Sequence, residues 1–194
     1  MPPLPPVTRA FILACVGVFC FFELFPGFAF WFELWPLTSG FFMPWQLLSY
    51  AFLHGSFTHL LFNMLGLWMF GGELERVWGP KRYTQILVAS TLSAAAVQLL
   101  FTWARGVNTP TIGASGAIFG LLLSFAMLFP NRIVVPLIPP IPMKAKYFVA
   151  IYGGLELFLG YSSSLDGVAH FAHLGGMLGA WLLIRHWRSP RRRG

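Results

Sequence analysis

Long apolar runs between clusters of charged residues constrain this 194-residue chain more than any other feature. A helix that crosses the hydrocarbon core of a bilayer needs about 20 mostly apolar residues, within a range of about 17–25. The sequence offers six such runs, at residues 7–25, 56–72, 83–104, 115–129, 147–161 and 168–184. The second, fourth and fifth are short, which suits helices buried among others. The sequence therefore predicts an all-α membrane protein with six transmembrane helices.

The composition supports this class and argues against several others. Apolar residues make up 57% of the chain and charged residues only 10%, whereas a soluble domain carries about 25% charged residues. A chain of this length cannot bury so much apolar side chain in one water-soluble core. The same excess argues against a disordered chain and against a disulfide scaffold. We expect one integral membrane domain over residues 1–194, with a Pro-rich cap at 1–6 and a basic tail at 185–194.

The basic residues indicate how the helices are oriented. Six spans place both termini on one side of the membrane, and all 13 Lys and Arg residues except Arg105 then fall on that side. Because cytoplasmic segments are enriched in Lys and Arg, both termini are predicted to be cytoplasmic. The net charge of +7 is thus explained by topology and by contact with membrane lipids. No nucleic-acid partner is implied.

Polar side chains within membrane helices are costly and are therefore candidates for function. Ser115 opens the fourth run, His59 lies near the outer end of the second, and His173 lies near the outer end of the sixth. The predicted topology brings the three to similar depths. Asn63 follows His59 by one helical turn and shares its face. Small residues after Ser115 and His173 give thin helix faces, which can bring the hydroxyl and the imidazole within hydrogen-bond reach.

Ser115 has glycine-rich surroundings, in the order Gly113-Ala114-Ser115-Gly116, directly before an apolar run. We expect it at a helix N-terminus, where unpaired N–H groups and the positive end of the helix dipole favour a developing anion. An ordinary N-cap serine is the alternative for this tetrapeptide taken alone.

Three segments together resemble the rhomboid family of intramembrane serine proteases: residues 113–116, Ala172-His173-Leu174-Gly175-Gly176, and His59-Leu60-Leu61-Phe62-Asn63. The resemblance extends through residues 54–58 and 75–79 and covers the chain from about residue 45 to 181. It implies a rhomboid-like bundle in which Ser115 is the nucleophile and His173 the general base. It also implies an oxyanion hole formed by the His59 and Asn63 side chains and the Ser115 backbone N–H.

By the same resemblance, the substrates are transmembrane proteins cut near the outer membrane face, and no cofactor is required. The expected location is the inner membrane of a bacterium. Asp166 is the one aspartate in the chain and lies about two helical turns from His173, so the sequence predicts a Ser-His dyad without a third acidic member. Glu156 interrupts the fifth run and must face the bundle interior or water. Its helix and the segment 26–44 are the candidate movable parts.

Other interpretations of the histidines stay open from the sequence. His170 shares a helix face with His173 and is the alternative general base. A haem or metal membrane protein would use His54, His59, His170 and His173 as ligands. A catalytically inactive rhomboid-like protein that binds membrane clients is a further alternative.

Hydrolysis consumes water, so the sequence also predicts a polar vestibule that opens to the outer side and reaches down to Ser115. The inner halves of the helices, such as residues 121–129, are almost entirely apolar. We expect them to close the floor of the vestibule and to keep Leu122 out of contact with it.

Overall fold

The computed structural model describes residues 3–136, 139–162 and 169–189. The α-helices are α1 (Pro6–Leu24), α2 (Gln46–Ser49), α3 (Phe57–Gly66), α4 (Gly72–Arg105), α5 (Ser115–Leu128), α6 (Ala145–Ser162) and α7 (His170–Arg188). Short 3-10 helices span Pro26–Trp31 and Tyr50–Phe52, and a π-helical turn, Leu67–Gly71, joins α3 to α4. Strands β1 (Ile133–Val134) and β2 (Met143–Lys144) pair antiparallel between α5 and α6. The fold is therefore mainly helical, and the all-α prediction missed this small hairpin.

Two stretches of the described residues are long and apolar enough to cross a membrane, Pro6–Leu24 and Phe57–Arg105, while Ser115–Leu128 is a shorter apolar helix. The longer stretch is broken at Gly79, where φ is 74° and ψ is 166°, and Pro80 follows. Glycine tolerates a positive φ without strain, and proline fits the first turn of a new helix. The break falls between the predicted runs 56–72 and 83–104. The count of six spans stays a prediction.

Helix α7 packs against α4 and α5 along faces that carry almost no side chain. A Cβ atom added at Gly176 would overlap the carbonyl oxygen of Gly116 in α5. One added at Gly179 would lie 2.6 Å from the carbonyl oxygen of Ala89 in α4. Small residues of this kind allow the backbones of membrane helices to approach closely. The contacts confirm the thin helix faces predicted from the sequence.

A buried carboxylate fixes the beginning of α1. Glu75, which is 2% exposed, accepts hydrogen bonds from the backbone N–H groups of Val7 at 2.9 Å and Thr8 at 2.7 Å. The Thr8 hydroxyl donates to the same carboxylate at 2.8 Å. The first N–H groups of a helix have no partner within it, and the positive end of the helix dipole favours an anion. Glu75 therefore caps α1 from another helix.

The terminal segments differ from their predicted bounds. Pro6 already belongs to α1, and the Arg76 guanidinium donates to the Pro3 carbonyl oxygen at 2.9 Å, which ties the Pro-rich cap to α4. Helix α7 continues to Arg188, so residues 185–188 of the predicted tail are helical. Positions 190–194 lie outside the described residues, as does Asp166.

A buried glutamine organises the aromatic segment between α1 and α2. The Gln46 side-chain oxygen accepts hydrogen bonds from the backbone N–H groups of Trp35 at 3.2 Å and Met43 at 3.1 Å. Its amide nitrogen donates to the Phe41 carbonyl oxygen at 3.1 Å. Buried polar groups are normally satisfied in this way. The segment 26–44, which the sequence identifies as a candidate movable part, is therefore hydrogen-bonded to the first residue of α2.

Candidate active site

Backbone hydrogen bonds hold the segment that leads into Ser115. Thr111 and Leu34 exchange two N–H···O bonds of 3.0 Å each, and the Gly113 N–H donates to the Tyr50 carbonyl oxygen at 2.9 Å. Gly113 has a φ of 120°, a backbone conformation that residues other than glycine rarely adopt. Helix α5 then begins at Ser115, as the sequence predicts. The serine is thus placed at a helix N-terminus by a fixed turn.

Ser115 and His173 meet across the contact between α5 and α7. The Nε2 atom of His173 lies 2.8 Å from the Ser115 hydroxyl oxygen. The Phe119 ring, one turn after the serine, stacks on the imidazole with ring centroids 4.3 Å apart and planes inclined by 4°. The stacking restricts rotation of the histidine ring. A hydroxyl within reach of an oriented imidazole is the arrangement that activates a serine nucleophile.

The other ring nitrogen of His173 faces a carboxylate to which the sequence assigned no role. The Oε2 atom of Glu156 in α6 lies 2.8 Å from His173 Nδ1 and 2.6 Å from His170 Nδ1. The His170 contact has the distance and angles of a hydrogen bond. The His173 contact is short enough for an ion pair, but its angles are not those of a hydrogen bond. The alternative base, His170, is therefore turned toward Glu156. The prediction of a Ser-His dyad considered only Asp166 as a third, acidic group. A single charged residue within an apolar helix, such as Glu156, is itself a signal of function.

His59 and Asn63, the expected oxyanion-hole residues, lie beside the same serine. A Cβ atom added at Gly113 would lie 2.7 Å from His59 Nε2 and 3.8 Å from the Ser115 hydroxyl oxygen. Asn63 is buried, and its amide nitrogen has no hydrogen-bond partner within the described part of the chain. A free donor next to a nucleophile is available to an oxygen atom that gains negative charge. The roles of His59 and Asn63 stay predictions.

A cavity of about 310 Å³ adjoins Ser115 and Asn63. Its walls come from α3, α5, α6 and the segment at β1, and most of the side chains that line it are apolar. It extends along α5 to Leu122 and reaches Pro136 beyond β1. Leu122, predicted to be sealed from the space at the serine, is therefore part of the cavity wall. The apolar residues Ile118 and Phe119 of α5 line the same cavity.

The histidines do not form the four-ligand set of the metal or haem interpretation. Among the described residues, Glu156, His170 and His173 could hold a metal ion, with candidate ligand atoms within 4.8 Å of one another. His54 and His59 form a separate pair, with ring centroids 5.1 Å apart. Burial, followed by the charge on neighbouring His59, lowers the pKa of His54 to about 4. His54 is therefore neutral at pH 7.

Comparisons with known proteins agree with the motifs around Ser115 and His173. Residues 42–188 match the family model of the Rhomboid domain. The chain is 32% identical over 150 residues to Rhomboid protein 1, mitochondrial, of Saccharomyces cerevisiae, which covers 74% of this chain and 43% of the relative. It is 29% identical over 145 residues to the rhomboid protease GluP of Bacillus subtilis, covering 72% of this chain and 25% of the relative.

The rhomboid protease GlpG of Yersinia enterocolitica is 26% identical over 185 residues, which covers 94% of this chain and 62% of that protein. The chain thus spans less than two thirds of the length of each of these relatives.

Proposed function

Since this chain belongs to the rhomboid family of multi-pass membrane proteins, we propose that it is a serine endopeptidase that cleaves transmembrane proteins within the membrane. Two of the relatives are named as rhomboid proteases. The observation that carries the proposal is the 2.8 Å contact between His173 Nε2 and the Ser115 hydroxyl oxygen. A catalytically inactive relative that only binds clients would have no need of this contact.

In the proposed reaction, the Ser115 oxygen attacks the carbonyl carbon of a substrate peptide bond while its proton moves to His173 Nε2. The carbonyl oxygen becomes an oxyanion, which accepts hydrogen bonds from the side chains of His59 and Asn63 and from the Ser115 N–H. The C–N bond then breaks, and His173 returns the proton to the leaving amine. Water hydrolyses the remaining ester by the same steps and regenerates the serine.

The cavity beside Ser115 has the size and lining to receive the substrate segment. Its mainly apolar walls suit the side chains of a transmembrane helix that has partly unwound, and its end at Ser115 presents the polar groups needed for hydrolysis. The Ser115, His59 and His173 side chains stand at the N-terminal ends of their helices. With both termini in the cytoplasm of a bacterial cell, these ends face outward, so we infer cleavage near the outer face of the inner membrane.

A serine-directed fluorophosphonate probe tests the proposal on the full chain in detergent micelles. We expect wild-type protein to be labelled and to cleave a model transmembrane substrate, and Ser115→Ala and His173→Ala to lose both activities while they remain folded. Ser124→Ala is the matched control, because Ser124 lies in the same helix and its hydroxyl donates a hydrogen bond to the Gly120 carbonyl oxygen. Folded wild-type protein that binds the substrate without labelling or cleavage would support the client-binding alternative instead.

A further inference from the structure

Glu156 is a charged side chain in a helix segment that is otherwise free of charge from residue 147 to residue 162. Its side chain is 12% exposed, and a carboxylate at this depth is strongly disfavoured unless it has partners. The partners are imidazoles of α7: His170 Nδ1 at 2.6 Å and His173 Nδ1 at 2.8 Å, both from Glu156 Oε2. The carboxylate therefore joins α6 to the histidine that contacts Ser115.

We propose that Glu156 is a positioning residue that holds the proton of neutral His173 on Nδ1 and so leaves Nε2 free to accept the proton of Ser115. The inference rests on the proposed function and deepens it, since it adds a third group to the Ser-His pair. It concerns the orientation and charge of the imidazole, and Glu156 itself does not contact the reacting atoms.

The tautomer follows from the inventory of groups around the ring. A neutral imidazole carries one proton, and the partner of one nitrogen decides which nitrogen holds it. An ionised carboxylate can only accept hydrogen bonds. Glu156 Oε2 lies 2.8 Å from His173 Nδ1, which is buried and has no aligned hydrogen bond within the described residues. If Nδ1 carries the proton, this N–H faces a carboxylate oxygen that can accept it. If Nδ1 is unprotonated, two acceptors face each other, which is unfavourable.

The charge state favours the same arrangement during the reaction. When His173 takes the proton of Ser115, it becomes a cation beside the Glu156 carboxylate, which stabilises it. Hydrogen bonds of this type are often misaligned in the absence of substrate and tighten when substrate binds. His170 shares the carboxylate from α7, and His59 of α3 lies against Gly113, close to Ser115. Glu156, His170 and His59 are thus titratable neighbours of His173 within the described part of the chain.

Substitution of Glu156 tests the proposal through the separate effects on kcat and KM. We expect Glu156→Gln to lower kcat at least about tenfold, because general-base catalysis contributes about 10²–10⁴ and depends on the oriented imidazole. KM should change less than about twofold, and Glu156→Asp should recover part of the loss. Glu23→Gln, an exposed glutamate at the end of α1, is the matched control.

Several outcomes would overturn the inference. A Glu156→Gln variant with wild-type kcat would show that Glu156 does not act through His173. An increase in KM alone would assign it to substrate admission. In either case the labelled, active wild-type protein would leave the proposed function standing. Wild-type protein that is folded but neither labelled nor active would contradict the proposed function itself.

A measurement on wild-type protein tests the tautomer even if the Glu156 variants fail to fold. Nitrogen-15 spectra of histidine-labelled wild-type protein distinguish the two neutral tautomers, and the signal that disappears in His173→Ala identifies the residue. We expect the neutral ring to carry its proton on Nδ1. If the neutral His173 ring instead carries its proton on Nε2, the inference is refuted.

Discussion

The amide nitrogen of Asn63 marks this residue as a candidate for function. Its amide nitrogen is buried and has no acceptor within the described residues, a state that destabilises a folded protein by roughly 1–3 kcal/mol. The side chain lines the same cavity as Ser115. An unpaired donor is useful only when an acceptor arrives, and the oxyanion of the proposed reaction is such an acceptor.

Removal of this donor is expected to slow the reaction and to leave substrate binding intact. Asn63→Ala should lower kcat by about 10²–10³, the usual loss for one oxyanion donor, and His59→Ala should have an effect of the same kind. Steady-state kinetics with a model transmembrane substrate measure both. A variant with higher KM and wild-type kcat would exclude the oxyanion role for that residue.

The pairing of Ser115 with His173 could be predicted from the sequence, because the glycine-flanked serine and the motif after the histidine are both local signals. The contact of Glu156 with His173 could not be predicted in this way. It depends on how far α6 is shifted along α7, and no periodicity in either helix specifies that register. The sequence indicated only that Glu156 faces the bundle interior or water.

At the scale of the helices, α7 can approach α5 because glycine faces glycine. Gly176→Ala should therefore separate the two helices or prevent their packing, since the added methyl group would overlap the Gly116 carbonyl oxygen. We expect loss of cleavage and a lower unfolding midpoint in a detergent titration. Gly154→Ala in α6 is the matched control, because nothing lies within 4 Å of its added Cβ atom. Equal behaviour of the two variants would contradict this account of the packing.

The cap on α1 gives a second prediction for the elements. Glu75→Ala should lower the free energy of unfolding by about 1–3 kcal/mol, because it leaves the buried N–H group of Thr8 and the partly buried N–H group of Val7 without an acceptor. Glu73→Ala removes a neighbouring carboxylate that pairs with Arg132 at the surface, and exposed pairs contribute about 0–1 kcal/mol. Equilibrium unfolding should therefore separate the two variants. A larger loss in Glu73→Ala would refute the capping role.

The helical elements were largely predictable from apolar runs between charged residues, and the break at Gly79 falls between two of those runs. The π-helical turn before Gly72 was not, because it depends on how α3 and α4 pack. The Glu75 cap likewise joins residues that are 67 and 68 positions apart. Such contacts follow from tertiary structure and have no local sequence signature.

For the whole molecule, the charge distribution predicts an orientation that cysteine labelling can measure. In a background without Cys15 and Cys20, Asn108→Cys should react with a membrane-impermeant thiol reagent in intact cells. Lys81→Cys should react only after the cells are permeabilised, because it lies just after the break at Gly79, and the helical segment from there to Arg105 separates it from Asn108. Both positions are exposed. Gly113 is unsuitable as a probe, since a side chain there would meet the His59 ring. The reverse pattern would invert the proposed topology.

The membrane class could be predicted from the composition, and the orientation hypothesis came from the distribution of Lys and Arg. Both signals are summed over many residues, so they do not depend on the position of any one side chain. The shape of the interior did not follow, as Leu122 shows: its apolar character suggested a closed floor, yet it borders the cavity. Whether an apolar side chain faces a neighbour or a void depends on how the helices are spaced.

The contact between Gly116 and Gly176 leaves no room for a side chain at this point between α5 and α7, whereas the neighbouring cavity has a volume of about 310 Å³. Hydrostatic pressure favours states with smaller internal voids. Compression should therefore act more on this cavity, which we propose receives the substrate, than on the distance between the Ser115 and His173 side chains. Pressure would thus separate entry of the substrate from the chemical step, two events that temperature changes together.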